Sequence, residues 1–89
     1  MRKYIFSMII TNRSDGVKSQ YEEYYDQEDR RNFAYEEWIR VARTLCPNFK
    51  EHKNNICYGN GIISKECSYI HNDVLFFEIM KYDLETERR

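Results

Sequence analysis

Arg43-Thr44-Leu45-Cys46-Pro47-Asn48-Phe49-Lys50-Glu51-His52-Lys53-Asn54-Asn55-Ile56-Cys57-Tyr58-Gly59-Asn60-Gly61-Ile62-Ile63-Ser64-Lys65-Glu66-Cys67-Ser68-Tyr69-Ile70-His71 contains every cysteine and both histidines of the chain. The spacing is Cys46-x10-Cys57-x9-Cys67-x3-His71. Three thiolates and one imidazole fill a tetrahedral zinc shell, and a shell closed by four protein ligands has no position for a reactive water. The spacing therefore predicts a structural Zn2+ site with Cys46, Cys57, Cys67 and His71 as metal ligands and no hydrolytic chemistry. The polar loops between them, with Asn54-Asn55 and Gly59-Asn60-Gly61, would take their shape from the metal. His52 is a rival ligand, but Glu51 and Lys53 flank it as they would a solvated loop residue.

Upstream of this stretch, Ala34, Tyr35, Trp38, Ile39, Val41, Ala42 and Leu45 form an apolar stripe at helical spacing. Pro47 cannot continue a helix and disfavours helical geometry at Cys46, so the helix delivers Cys46 just past its end. Ser19-Gln20-Tyr21-Glu22 has the form of a capping box, which starts a helix at Ser19 with Tyr21, Tyr24 and Tyr25 on one face. Residues 26–32 interrupt the stripe, so 19–45 reads as one long helix or two broken near Asn32. Asn12-Arg13-Ser14-Asp15-Gly16 is a turn cluster. Before it, Tyr4, Phe6, Met8 and Ile10 alternate while Ile5 and Ile9 occupy the other side, which predicts a strand over 3–11 covered on both faces. Downstream, the aromatic and β-branched run 74–82 favours a strand. Asp73 as an N-cap, with Leu75, Ile79 and Tyr82 on one face, fits a helix instead.

A chain of 89 residues is one domain, 1–89, and buries too little surface to be strongly stable without help. Hydrophobic residues at 42% and charged residues at 33% mark a folded chain. No run approaches ~20 apolar residues, so no helix spans a membrane. The N-terminal apolar run is short and broken by Ser7, unlike a signal peptide. An odd number of cysteines argues against a closed disulfide framework. An intracellular protein, nuclear or cytoplasmic, is expected. Net charge is −1 overall, but residues 43–71 carry four basic and two acidic side chains and form the positive part of the chain.

Residues 43–71 resemble a CCCH-type zinc finger. Cys67-Ser68-Tyr69-Ile70-His71 matches the family's Cys-x-aromatic-x-His closing element, and Cys46-Pro47-Asn48-Phe49 its aromatic three residues past the first ligand. Arg43-Thr44 is similar to the basic-Thr pair before that ligand, and Tyr58-Gly59 to the step after the second. The gaps of ten and nine residues are wider than the family's usual spacing. The resemblance implies weak binding of single-stranded RNA, with Phe49, Tyr58 and Tyr69 stacking on bases and Arg43, Lys50, Lys53 and Lys65 meeting phosphates.

The fold expected is a small zinc-stabilised α+β domain: an N-terminal strand, a long or broken amphipathic helix, the CCCH-like finger, and a C-terminal strand or helix. The function expected is RNA association alongside protein partners or a homo-oligomer, through aromatic surfaces. The alternative is a protein-interaction module, or a viral or mobile-element inhibitor, in which the finger is purely structural. Neither a small-molecule substrate nor a catalytic constellation is indicated: there is no phosphate-cradling Gly loop and no supported Ser-His-Asp set.

Overall fold

The structure, a computed structural model, describes residues 2–56 and 62–85. Its elements follow the order β1 (Arg2–Asn12), β2 (Lys18–Tyr25), α1 (Glu28–Leu45), β3 (Lys50–Ile56), β4 (Ile62–His71) and β5 (Leu75–Glu85). The five strands form one sheet in the order β2-β1-β5-β4-β3, and every neighbouring pair is antiparallel. The N-terminal strand thus lies inside the sheet, and β2 and β3 are its two edges. A helix of 18 residues is ~27 Å long, and five strands at ~4.8 Å spacing are ~19 Å across. The single helix therefore spans the sheet in passing from one edge strand to the other.

Local chemistry sets the turns. Asn12 Oδ1 accepts from Ser14 N and Asp15 Oδ1 accepts from Val17 N, both at 2.9 Å, while Gly16 takes φ +77°. These Asx turns and a left-handed glycine reverse the chain between β1 and β2. Asn72 does the same between β4 and β5, its Oδ1 accepting from Val74 N and Leu75 N.

The helix buries Arg31, Tyr35, Ile39 and Ala42, spaced four, four and three apart, and Cys46 at its C-cap extends the stripe. Opposite stand Phe6 and Met8 of β1, Ile70 of β4, and Phe77 and Ile79 of β5. Period-two alternation places these on one face of the sheet, with Tyr21, Glu23 and Tyr25 of β2 beside them. Tyr35 crosses this core, its hydroxyl 2.7 Å from Ser68 Oγ and donating to Glu66 Oε2 at 2.8 Å.

This architecture overturns the zinc-stabilised α+β fold expected from the sequence. Residues 18–25 are an edge strand rather than the start of a helix, so the helix begins at Glu28 and is unbroken to Leu45. In the strand, Tyr21 and Tyr25 turn toward the helix and Tyr24 away from it, where a helix would have aligned all three. Residues 50–56 and 62–71, expected as finger loops, are paired strands. The run after Asp73 is a strand throughout, Leu75–Glu85. Among the described residues, no helix is long and apolar enough to cross a membrane.

Candidate nucleic-acid interface

Among the described residues, the helix covers one face of the sheet and no helix covers the other. Lys3, Ile5, Ser7 and Ile9 of β1, Cys67, Tyr69 and His71 of β4, and Phe76, Glu78, Met80 and Tyr82 of β5 alternate onto this second face. Over β1 it is roofed by its own side chains. The Tyr82 hydroxyl donates to Glu22 Oε2 at 3.1 Å, bridging β5 to β2 above β1, and beneath it Ile5 and Ser7 are buried. Burial and the Glu22 bond push the Tyr82 hydroxyl pKa up to about 12.

At the opposite end of the face, four rings are contiguous. His52 stacks on Tyr69 with centroids 4.8 Å apart and planes 26° apart. His71 meets His52 edge-on at 6.0 Å and Phe76 at 5.6 Å, and Tyr69 lies 6.0 Å from Phe76. The hairpin register explains the grouping: His52 is opposite Tyr69, and His71 is opposite Phe76. Arg13, from the β1–β2 turn, holds its guanidinium 5.3 Å from the Phe76 ring centroid. Lys50 opens β3 opposite His71. The potential of these groups converges on His71, whose pKa is held below the usual imidazole range by burial, then by Arg13, His52 and Lys50. Beside the rings is a notch of about 340 Å³ lined by Arg13, Pro47, Asn48, Lys50 and His71 together with the Asn72–Val74 turn.

The residues expected to bind zinc are distributed differently. Cys46 is fully buried in the core beneath the helix, near the Leu75 carbonyl. Ser68 faces that same core, so its neighbour Cys67 is directed to the opposite face of the sheet, where His71 also lies. Cys67 and His71 are four residues apart on one strand, a separation of about 13 Å along the backbone. Cys57 lies outside the described residues. Cys46 and Cys67 therefore lie on opposite faces of the sheet. Burial raises both thiol pKa values above the ordinary thiol range, which favours the protonated form. Among the described residues, no group of three or more His, Cys, Asp or Glu side chains is placed to hold a metal ion.

Of the expected RNA contacts, Tyr69 and Lys50 are part of the ring cluster or its border. Phe49 is 39% exposed in the loop that precedes β3. Tyr58 lies outside the described residues. Arg43 is engaged by Glu51 through two bonds of 2.8 and 2.7 Å, and Lys53 by Glu66 at 3.5 Å. Lys65 lies near Glu22 and Tyr82 around a small hollow on the open face. Arg13, Phe76 and the stacking role of His52 were not found from the sequence. Period-two reading of 50–56 and 65–71 as a hairpin would have placed His52 beside Tyr69.

No protein-family model matches this chain, and neither a curated protein nor a solved structure does.

Proposed function

We propose that the open face of the sheet binds single-stranded RNA, with Tyr69, Phe76 and His52 as the stacking surface and Arg13 and Lys50 as phosphate contacts. The observation that carries this reading is the contiguous ring cluster on a face without a covering helix, bordered by two cations. Unpaired bases stack on aromatic rings irrespective of sequence, and each such contact is worth ~1–3 kcal/mol. The interval between ring centroids, 4.8 to 6.0 Å, leaves the cluster a tilted surface rather than a flat stack. It is therefore suited to one or two splayed bases and not to a duplex. With two cations at its border, binding is weak and sensitive to salt.

The test is fluorescence anisotropy with a short single-stranded uridine oligonucleotide at low salt. Tyr69→Ala and Phe76→Ala each weaken binding about five- to hundredfold, the range expected for one lost stacking contact. The fold is checked through Trp38, the single tryptophan, which lies on the helix side of the sheet. Absence of binding by the parent protein at low salt would end this reading.

A second reading attaches to β2. It is an edge strand whose residues are exposed except for Tyr25 at its end. Such an edge can take an added strand from a partner protein. Protection of the β2 amides from hydrogen exchange on adding a partner, with none in the ring cluster, would favour it.

A further inference from the structure

Building on the single-strand reading above, we propose that the notch beside the rings holds a terminal phosphate monoester of the bound strand. Arg13 and Lys50 would be its charge partners and His71 an N–H donor.

Three observations support this. First, the notch is built from three loops laced to one another. Arg13 N donates to Val74 O at 2.7 Å, which ties the β1–β2 turn to the β4–β5 turn. Asn72 Nδ2 donates to Pro47 O at 3.0 Å, which ties the helix exit to that same turn. Walls fixed in this way are preorganised, so little ordering is required when an anion enters. Second, the charges suit an anion: Arg13 and Lys50 line the notch against one carboxylate, that of Asp73, which is exposed. Third, the notch is continuous with the ring cluster, because His71 belongs to both.

Charge then favours an end over an internal linkage. The notch, about 340 Å³, has room for a phosphate and the sugar that bears it. A diester carries one negative charge. A monoester carries ~1.5 to 2 at neutral pH and offers three strong acceptor oxygens, which matches two cations and a donor.

The experiment compares one uridine oligonucleotide in three forms: hydroxyl at both ends, phosphate at the 5′ end, and phosphate at the 3′ end. One phosphorylated form is expected to bind about tenfold more tightly than the hydroxyl form, the gain from one added charge-assisted contact. Lys50→Ala and Arg13→Gln are expected to abolish that preference, whereas Tyr69→Ala weakens all three forms and keeps it. Equal affinity for the three forms, with Tyr69 still required, would overturn the notch proposal and leave the ring surface standing. A preference that survives both Lys50→Ala and Arg13→Gln would also overturn it, since the phosphate must then sit elsewhere. No binding of any form would remove both readings.

Discussion

Arg31 connects several elements from within the core. Only 3% exposed, it donates to Tyr82 O at 2.7 Å and to Asn32 Oδ1 at 2.9 Å, and lies 5.4 Å from the Tyr4 ring centroid. Its Nη2 is 2.9 Å from Asp83 Oδ1, a buried oxygen that has no well-aligned hydrogen bond. The ion pair thus joins the first turns of the helix to the end of β5. Removing one partner leaves a buried charge without compensation, so Arg31→Ala is expected to cost about 3–5 kcal/mol in urea unfolding. In a double-mutant cycle, Arg31→Met with Asp83→Asn should cost less than the sum of the single changes; strict additivity would show that the two are not coupled. At the surface, Arg43 holds the Glu51 carboxyl below the usual carboxylate range. A lowered folded pKa means that the stabilisation is present above the unfolded value of ~4.3 and disappears as pH falls through the folded value. The Arg43 side chain is 47% exposed, so solvent screening keeps the pair near ~0.5 kcal/mol. Glu51→Gln should therefore be slightly less stable than the parent at pH 7, and the difference should shrink as pH falls through the lowered Glu51 pKa.

At the scale of elements, the contrast between β1 and β2 shows what the sequence discloses. β1 is legible because its apolar residues occupy both alternating positions, as a strand covered on two sides requires. The turn at 12–16 and the end of the helix at Pro47 are legible for similar reasons, since Asx turns and a proline act locally. Residues 18–25 mislead, because Ser19 and Glu22 stand at capping-box spacing and the tyrosines at 21, 24 and 25 mimic a helical stripe. Tertiary pairing overrides that local signal: β2 lies along β1 from Tyr4 opposite Tyr25 to Thr11 opposite Lys18. Its helix-side anchor is Tyr21 stacked on Trp38, with centroids 6.2 Å apart. Two substitutions separate the alternatives. Ser19→Ala removes no cap and should alter stability by less than ~0.5 kcal/mol, whereas loss of an N-cap costs ~1 kcal/mol. Trp38→Ala removes the support of the edge strand and should cost about 2 kcal/mol, below the range for a fully buried aromatic. Where the cysteines lie in the fold was not legible for a related reason. Cys46, Cys67 and His71 follow a zinc-like order along the chain, but strand alternation sends Cys67 and its neighbour Ser68 to opposite faces, and order along the chain carries no information about faces until the strands are known.

For the whole molecule, the proposed contact with a polyanion has to be reconciled with a net charge of −1. Glu22 and Glu23 of β2 and Glu28 and Asp29 of the first helical turn lie away from the ring cluster, while Arg13 and Lys50 stand beside it, with Asp73 at the notch and Glu78 opposite Tyr69 as the nearby carboxylates. For single strands the salt slope is about −0.7 per neutralised phosphate, so for the oligonucleotide with hydroxyl at both ends, one phosphate each on Arg13 and Lys50 predicts a slope of about −1.4 in log K against log salt. A slope close to zero would indicate an apolar contact, as with a protein partner, and one steeper than about −4 would implicate cations well beyond this end of the sheet. Zinc enters the same measurement. On the proposed reading, hairpin register alone sets the geometry of the ring cluster. Prior treatment with a strong chelator is therefore expected to leave the affinity and the slope unchanged. If chelation abolished binding and also lowered the helical circular dichroism, the fold would depend on metal, and Cys46, Cys57, Cys67 and His71 would return as its ligands.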